Sequence, residues 1–131
     1  MGRAFVFPGQ GAQTIGMGRD LADEWPAAAD VFAEVDDALG EPLSALIWEG
    51  NQETLTLTEN AQPALMAMSM ATMAALASEG VTVEAASFVA GHSLGEYSAL
   101  CAAGAIGVAD AARLLRLRGR AMQPAAPVGE A

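Results

Sequence analysis

Between Asn60 and Ser78 the chain runs for 19 residues without a charge, and this stretch constrains the fold more than any other. It is mostly Ala and Met, interrupted by Asn60, Gln62, Pro63, Ser69, Thr72 and Ser78. A membrane-spanning helix of that length needs far more Leu, Ile and Val. A surface helix needs a polar face, and this segment is apolar nearly all round. It therefore reads as a helix that ends at Gly80 and is covered on several sides. A chain of 131 residues with 53 % apolar composition can supply that cover, since a domain of this size buries roughly two thirds of its unfolded surface. The same composition excludes an intrinsically disordered chain.

Two strand-then-helix units flank this helix. Arg3 to Phe7 reads as a short strand, apolar on both faces as in a buried parallel sheet. It ends in Pro8-Gly9-Gln10-Gly11-Ala12-Gln13, and a mixed segment follows. A helix opens at Pro26, a favoured first-turn residue. Val31, Phe32, Val35 and Leu39 form its inner face, Asp30, Glu34, Asp36 and Asp37 its outer one, and Gly40 stops it. Pro42 to Trp48 reads as a further short helix and Gly50 to Thr58 as loop. Ser87 to Ala90 is a second buried strand that leads at once into a helix. The last helix is expected from about Asp110, as N-cap, to Gln123. The pattern predicts the α/β class, a parallel sheet flanked by helices. Two strands are too few for a closed α/β domain, so part of the sheet is expected to be missing.

The 16 acidic residues outweigh 6 Arg and no Lys, for a net charge of −10. That balance argues against nucleic acid, because little here could neutralise a run of phosphates. The single cysteine, Cys101, excludes a disulfide framework and suits a reducing, cytoplasmic setting. The apolar run Ala4 to Phe7 is cut off at Pro8-Gly9, too early for a signal-peptide core.

The sharpest chemical feature is Gly91-His92-Ser93-Leu94-Gly95, at a strand-to-helix junction. A G-x-S-x-G there is a nucleophile elbow: flanking glycines permit a tight turn that lifts the serine hydroxyl clear of the sheet. Ser93 would then sit at a helix N-terminus, whose free N–H groups stabilise charge developing on a substrate carbonyl. The alternative is an ordinary strand-to-helix turn. His92 is the only histidine, but adjacent residues in a sharp turn point apart, so it reads as packing beneath the elbow rather than as the base. Cys101, two turns into the following helix, reads as a small core residue.

Two further features complete the set. On a helical wheel, Arg113, Arg116 and Arg120 share one face and read as solvated. Arg118 falls at roughly 140° from Arg113, between Leu114 and Met122, inside an apolar stripe. An arginine there needs an acceptor. It is either a structural pair with a buried acid or a fork for a substrate carboxylate. The Gly9-to-Gln13 loop, at the C-terminal end of the first strand, reads as an ordinary glycine-rich turn or as a ligand-binding edge in which Gln10 orients a ligand and a backbone N–H completes an oxyanion hole.

Taken together and in order, Phe7-Pro8-Gly9-Gln10-Gly11-Ala12-Gln13, Gly91-His92-Ser93-Leu94-Gly95-Glu96-Tyr97 and Arg118-Gly119 resemble the malonyl-CoA:acyl carrier protein transacylases of bacterial fatty acid synthesis. The acyltransferase domains of polyketide synthases are relatives of that family. The resemblance spans nearly the whole chain. It implies that Ser93 takes a malonyl group from CoA and passes it to the phosphopantetheine thiol of acyl carrier protein in ping-pong fashion. It assigns the backbone N–H groups of Gln10 and Leu94 to the oxyanion hole, lists Gln10 and His92 with Arg118 among the substrate-binding residues, and sets Arg118 on the malonyl carboxylate. Leu94, where methylmalonyl-selective relatives often carry Gln, leans toward malonyl. No metal, cofactor, nucleic acid or membrane is implied, and the full-length form is expected to be a monomer.

The resemblance also carries two tensions. The family's catalytic histidine lies well downstream of position 131, and a ferredoxin-like subdomain is inserted after the segment matching Pro124 to Ala131. Residues 1–131 are thus expected to be the N-terminal part of the large, hydrolase-like subdomain, with apolar surface exposed on the sheet and on the Met-rich helix. Acyl carrier proteins are acidic, so a chain at −10 should repel them. Either the remaining polypeptide carries a basic patch, or Arg113, Arg116 and Arg120 form a local one. The rival activity is a serine hydrolase or thioesterase, which would share the elbow but have no use for Arg118. For the isolated chain, the rival is an inactive fragment.

Overall fold

The structure is a computed structural model describing residues 4–7, 11, 13–80, 88–91, 94–104 and 106–122. Strands β1 (Ala4–Phe7) and β2 (Phe88–Gly91) pair in parallel, in register from Ala4 with Phe88 to Phe7 with Gly91. Helices follow in the order α1 (Arg19–Glu24), α2 (Pro26–Leu39), α3 (Leu43–Glu49), α4 (Gln52–Thr56) and α5 (Thr58–Ser78), then, after β2, α6 (Leu94–Ala102) and α7 (Val108–Met122).

Local chemistry explains most of these boundaries. Pro26 occupies the first turn of α2, where its missing N–H costs nothing. Gly40 ends that helix in the left-handed region at φ 66°, its N–H turned back to the carbonyls of Asp36 and Asp37. The Asp36 carboxylate accepts the backbone N–H of Ser44 at 2.8 Å and tethers α3 to α2. The stretch expected as loop contains α4, because Asn51 caps it by accepting the Thr54 N–H at 2.7 Å. The last helix starts at Val108, so Asp110 lies in its first turn and does not cap it; its charge still suits that end of the helix dipole.

Helix α5 is the centre of the fold. Every residue from Ala61 to Ala67 is buried, as are Ser69, Met70, Ala71 and Ala75. Helices α2, α6 and α7 pack on it from different sides, with α1, α3 and α4 completing the cover. Phe32 and Val35 of α2, Ile47 of α3, Leu55 of α4 and Leu115 of α7 are among the larger side chains of the shared core. The apolar surface expected on the Met-rich helix is therefore not there. Among the described residues, the large exposed apolar side chains are Leu114, Leu117 and Met122, all on α7. No helix among the described residues is long and apolar enough to cross a membrane.

Candidate active site

Phe7 and Gly91 are register partners at the C-terminal ends of parallel strands, which lie about 4.8 Å apart. The two strands therefore end side by side, one just before the Gly-rich segment of the sequence and the other just before His92-Ser93. Gln10, His92 and Ser93 themselves lie outside the described residues. Leu94, assigned to the oxyanion hole by resemblance, is the first residue of α6. Only two residues separate the end of β2 from this helix.

The end of the first loop is pinned from an unexpected direction. Gly11 adopts φ +113°, a region that side chains rarely tolerate, and its N–H donates to Gln13 Oε1 at 2.8 Å. Gln13 is buried. Its carbonyl accepts Gln52 Nε2 at 3.2 Å, while Gln52 Oε1 accepts the Ile15 N–H at 3.2 Å. Gln52 belongs to α4, so an element missed in the sequence holds the chain that follows the Gly-rich loop.

Helix α7 faces the core with a different arc from the one its wheel suggested. The buried positions are Ala111, Ala112, Leu115, Arg116 and Gly119, while Leu114 is 46 % and Met122 38 % exposed. The expected stripe between Leu114 and Met122 is thus one edge of the buried arc, and Arg118 on it is half-buried. Arg116, expected on a solvated face, is only 5 % exposed. The reason is the close crossing of α5 and α7. A Cβ on Gly119 would lie 2.5 Å from Glu59 Cα and 2.7 Å from the Thr58 carbonyl oxygen, so only glycine lets the two backbones meet there. The crossing sets Arg116 opposite Asn60 and Arg118 opposite Gln62.

The two arginines are held differently. Arg118 Nη1 donates to Gln62 Oε1 at 2.7 Å, and its guanidinium carbon lies 5.6 Å from the centre of the Tyr97 ring. Tyr97 is on the first turn of α6, three residues after Leu94, so Arg118 is tied to the helix that follows Ser93. Gln62 is 1 % exposed, and its Nε2 donates to Met122 Sδ at 3.2 Å. Arg116 Nη1 donates to Asn60 Oδ1 at 2.5 Å and Nη2 to Glu41 Oε2 at 3.5 Å, with Glu59 at 3.9 Å. Arg120 pairs with the same two acids at 3.6 and 3.1 Å, and Arg113 with Asp110 at 3.2 Å. Burial pushes the Arg116 pKa down, while Glu41 and Glu59 pull it back up. The three arginines expected as a basic docking patch are thus each paired with acids, which removes that local patch.

Gln62, Tyr97, Asn60 and Gln52 had no assigned role in the sequence. The available signal was the presence of Asn60 and Gln62 within an otherwise apolar helix, since buried amides need partners. Cys101 is partly buried against the core, as expected, and burial, aided by Glu34, pushes its thiol up to about 11.

A family model described as acyl transferase domain matches residues 4–131. The chain belongs to the acyl transferase domain family. It is 53 % identical over 127 residues to a malonyl CoA-acyl carrier protein transacylase of Bacillus subtilis (strain 168), covering 97 % of this chain and 39 % of that relative. The acyl-carrier-protein-S-malonyltransferase structure from Bartonella henselae superposes with a TM-score of 0.94 at 61 % identity, over 98 % of this chain and 41 % of that one. A malonyl-transacylase solved in complex with its type II PKS acyl-carrier protein has a TM-score of 0.90 at 48 % identity, over 97 % and 40 %. The chain thus spans about two fifths of the length of these relatives, and over that span its fold is that of the malonyltransferases.

Proposed function

We propose that this chain supplies the nucleophile-bearing part of a malonyl-CoA:acyl carrier protein transacylase. The observation that carries the reading is Arg118, held between Gln62 and Tyr97 against the helix that begins directly after Ser93. A guanidinium contacting the helix that follows the G-x-S-x-G segment suits a substrate with a thioester at one end and a free carboxylate at the other.

In the first half-reaction Ser93 Oγ attacks the thioester carbonyl of malonyl-CoA. The oxygen–carbon bond forms, the carbon–sulfur bond breaks, and CoA leaves as its thiol with the serine proton. The phosphopantetheine thiol of acyl carrier protein then attacks the malonyl ester and returns the proton to Ser93. Backbone N–H groups of Gln10 and Leu94 stabilise the oxyanion in both steps, and such a donor is worth about 3 kcal/mol in the transition state. His92 contributes to the substrate-binding region rather than acting as the base. The general base is expected from the remaining three fifths of the length that relatives have. The scheme calls on no metal or cofactor and suits a cytoplasmic, monomeric enzyme. The two parallel strands then belong to a wider hydrolase-like sheet flanked by helices, of which residues 1–131 are the N-terminal part.

Intact-mass analysis of the native-length protein after brief exposure to malonyl-CoA tests this reading. A malonyl adduct is expected on the wild type and none on Ser93→Ala. Arg118→Ala should shift acylation from malonyl toward acetyl groups. An adduct that survives Ser93→Ala would refute the nucleophile. Equal malonyl and acetyl labelling of the wild type would favour the thioesterase alternative.

A further inference from the structure

Four hydrogen bonds lace residues 13–17 onto the end of α3 and the start of α4. Gln52 Nε2 donates to the Gln13 carbonyl at 3.2 Å, and Gln52 Oε1 accepts the Ile15 N–H at 3.2 Å. The Gly16 N–H donates to the Ile47 carbonyl at 2.7 Å, and Trp48 Nε1 donates to the Met17 carbonyl at 3.0 Å. Ile47 is fully buried in the core shared with α5, so a stretch outside any helix or strand is anchored to the centre of the fold.

From that anchor Gln13 reaches back toward the Gly-rich loop. It is 8 % exposed, and its Oε1 accepts the Gly11 N–H at 2.8 Å. On the other side of the loop, Phe7 is fixed by its sheet pairing with Gly91. Three residues of sequence, Pro8, Gly9 and Gln10, span these two fixed points. Planar peptides leave each residue two soft dihedrals, and a proline ring removes one more. The peptide that carries the Gln10 N–H is joined to the one ending at the Gly11 nitrogen through the dihedrals of Gln10 alone. An acceptor on Gly11 therefore limits where the Gln10 N–H can point.

We propose that Gln13 is a positioning residue for the oxyanion hole. It holds the Gly11 side of the loop so that the Gln10 N–H converges with that of Leu94 on the thioester oxygen, and Gln52 anchors it. This rests on the malonyl-transfer reading above. An oxyanion donor is effective when it is in place before the charge develops, and glycines on both sides of Gln10 supply no stiffness of their own. An amide suits the task, because its oxygen fixes an N–H while adding no charge near a developing oxyanion.

Single-turnover acylation of the native-length protein, by malonyl-CoA and by acetyl-CoA, tests this in the wild type, Gln13→Met and Gln52→Met. The amplitude counts competent sites, while the rate at saturating donor reports how well each site works. Gln13→Met keeps the volume but loses the acceptor. It should lower the saturating rate on the order of 10-fold for both donors alike, at an unchanged half-saturating concentration, because the thioester oxygen is common to both. Gln52→Met, one step removed and at an exposed position, should lower that rate roughly 3-fold in the same pattern. A purely structural role would lower the melting temperature and the amplitude and leave the saturating rate alone. That result overturns the proposal, as does a loss confined to the malonyl donor. If Gln13→Met folds too poorly to measure, Gln52→Met decides, and a wild-type rate in that variant overturns the proposal. A wild type that takes no malonyl refutes the underlying reading and this inference with it, whereas a competent wild type matched by both variants overturns this inference alone.

Discussion

Arg116 and Arg118 leave the same helix two residues apart, and their described partners differ. Arg116 is 5 % exposed and sits among Asn60, Glu41 and Glu59, with Arg120 sharing both acids. Two cations and two anions close a local network in which the charges cancel. Arg118 is half-buried and rests against Gln62 and Tyr97, both neutral. The more deeply buried arginine is thus the one set among acids, and the less buried one is the one proposed to meet the substrate carboxylate. Depth alone would rank them the other way. The described partners differ in chemistry: two carboxylates face Arg116, whereas an amide and an aromatic ring contact Arg118.

The comparison can be broken most severely at the crossing that creates it. Gly119→Ala puts a methyl group 2.5 Å from backbone on α5, so the helices must separate. The overpacking outweighs the better helix propensity of alanine, for a net loss of about 2 kcal/mol in urea unfolding. Arg118 should lose its register with Gln62 at the same time, lowering malonyl selectivity. A variant as stable as the wild type would mean that the close approach is not needed.

The next effect sets the two arginines against each other. Arg116→Ala should cost about 2 kcal/mol, moderated because Glu41 and Glu59 reach water at 47 % and 31 % exposure. Arg118→Ala should cost about 1 kcal/mol or less, while abolishing the preference for malonyl. Thermal melting and donor selectivity, measured on both variants, check this. The reverse order in either property would sink the contrast.

The smallest effect concerns Cys101 on α6, which has burial without any cationic partner among its causes of shift. Its thiol is pushed from 9.0 up to about 11, first by desolvation and then by Glu34. It should resist alkylation by iodoacetamide at pH 8 in the folded protein and react once urea is added. Because the folded pKa is the higher one, its contribution to stability is complete below pH 9 and is lost as pH rises toward 11. Rapid labelling of the native protein would show that the thiol is more accessible than its packing implies.

Several elements were legible from local rules. Pro26 and Gly40 bracket α2, and the uncharged run marks α5, because caps and composition act within a few residues. The strand–motif–helix order around β2 and α6 followed from the same kind of signal. Helix α4 was missed because a five-residue helix has too little periodicity to register, and its cap, Asn51, resembles any loop asparagine. The buried arc of α7 was misplaced for a different reason. A wheel ranks residues by apolarity, and it placed Arg116 outside and Leu114 inside. The fold did the opposite, because Asn60, Glu59 and Glu41 await Arg116 across the crossing while Leu114 faces away from α5.

By itself, then, the sequence determined the identity of the chemical groups and the elements that carry them. The G-x-S-x-G segment, the Gly-rich loop after the first strand and an arginine on the last helix are fixed by short-range pattern. Tertiary structure alone decided that Arg116 meets Asn60 and two acids while Arg118 meets Gln62 and Tyr97. Residues 60 and 62 lie 56 positions from residues 116 and 118, and no local rule couples positions so far apart. The coupling is made by one glycine, Gly119, that lets two helix backbones come close enough for each arginine to find its amide.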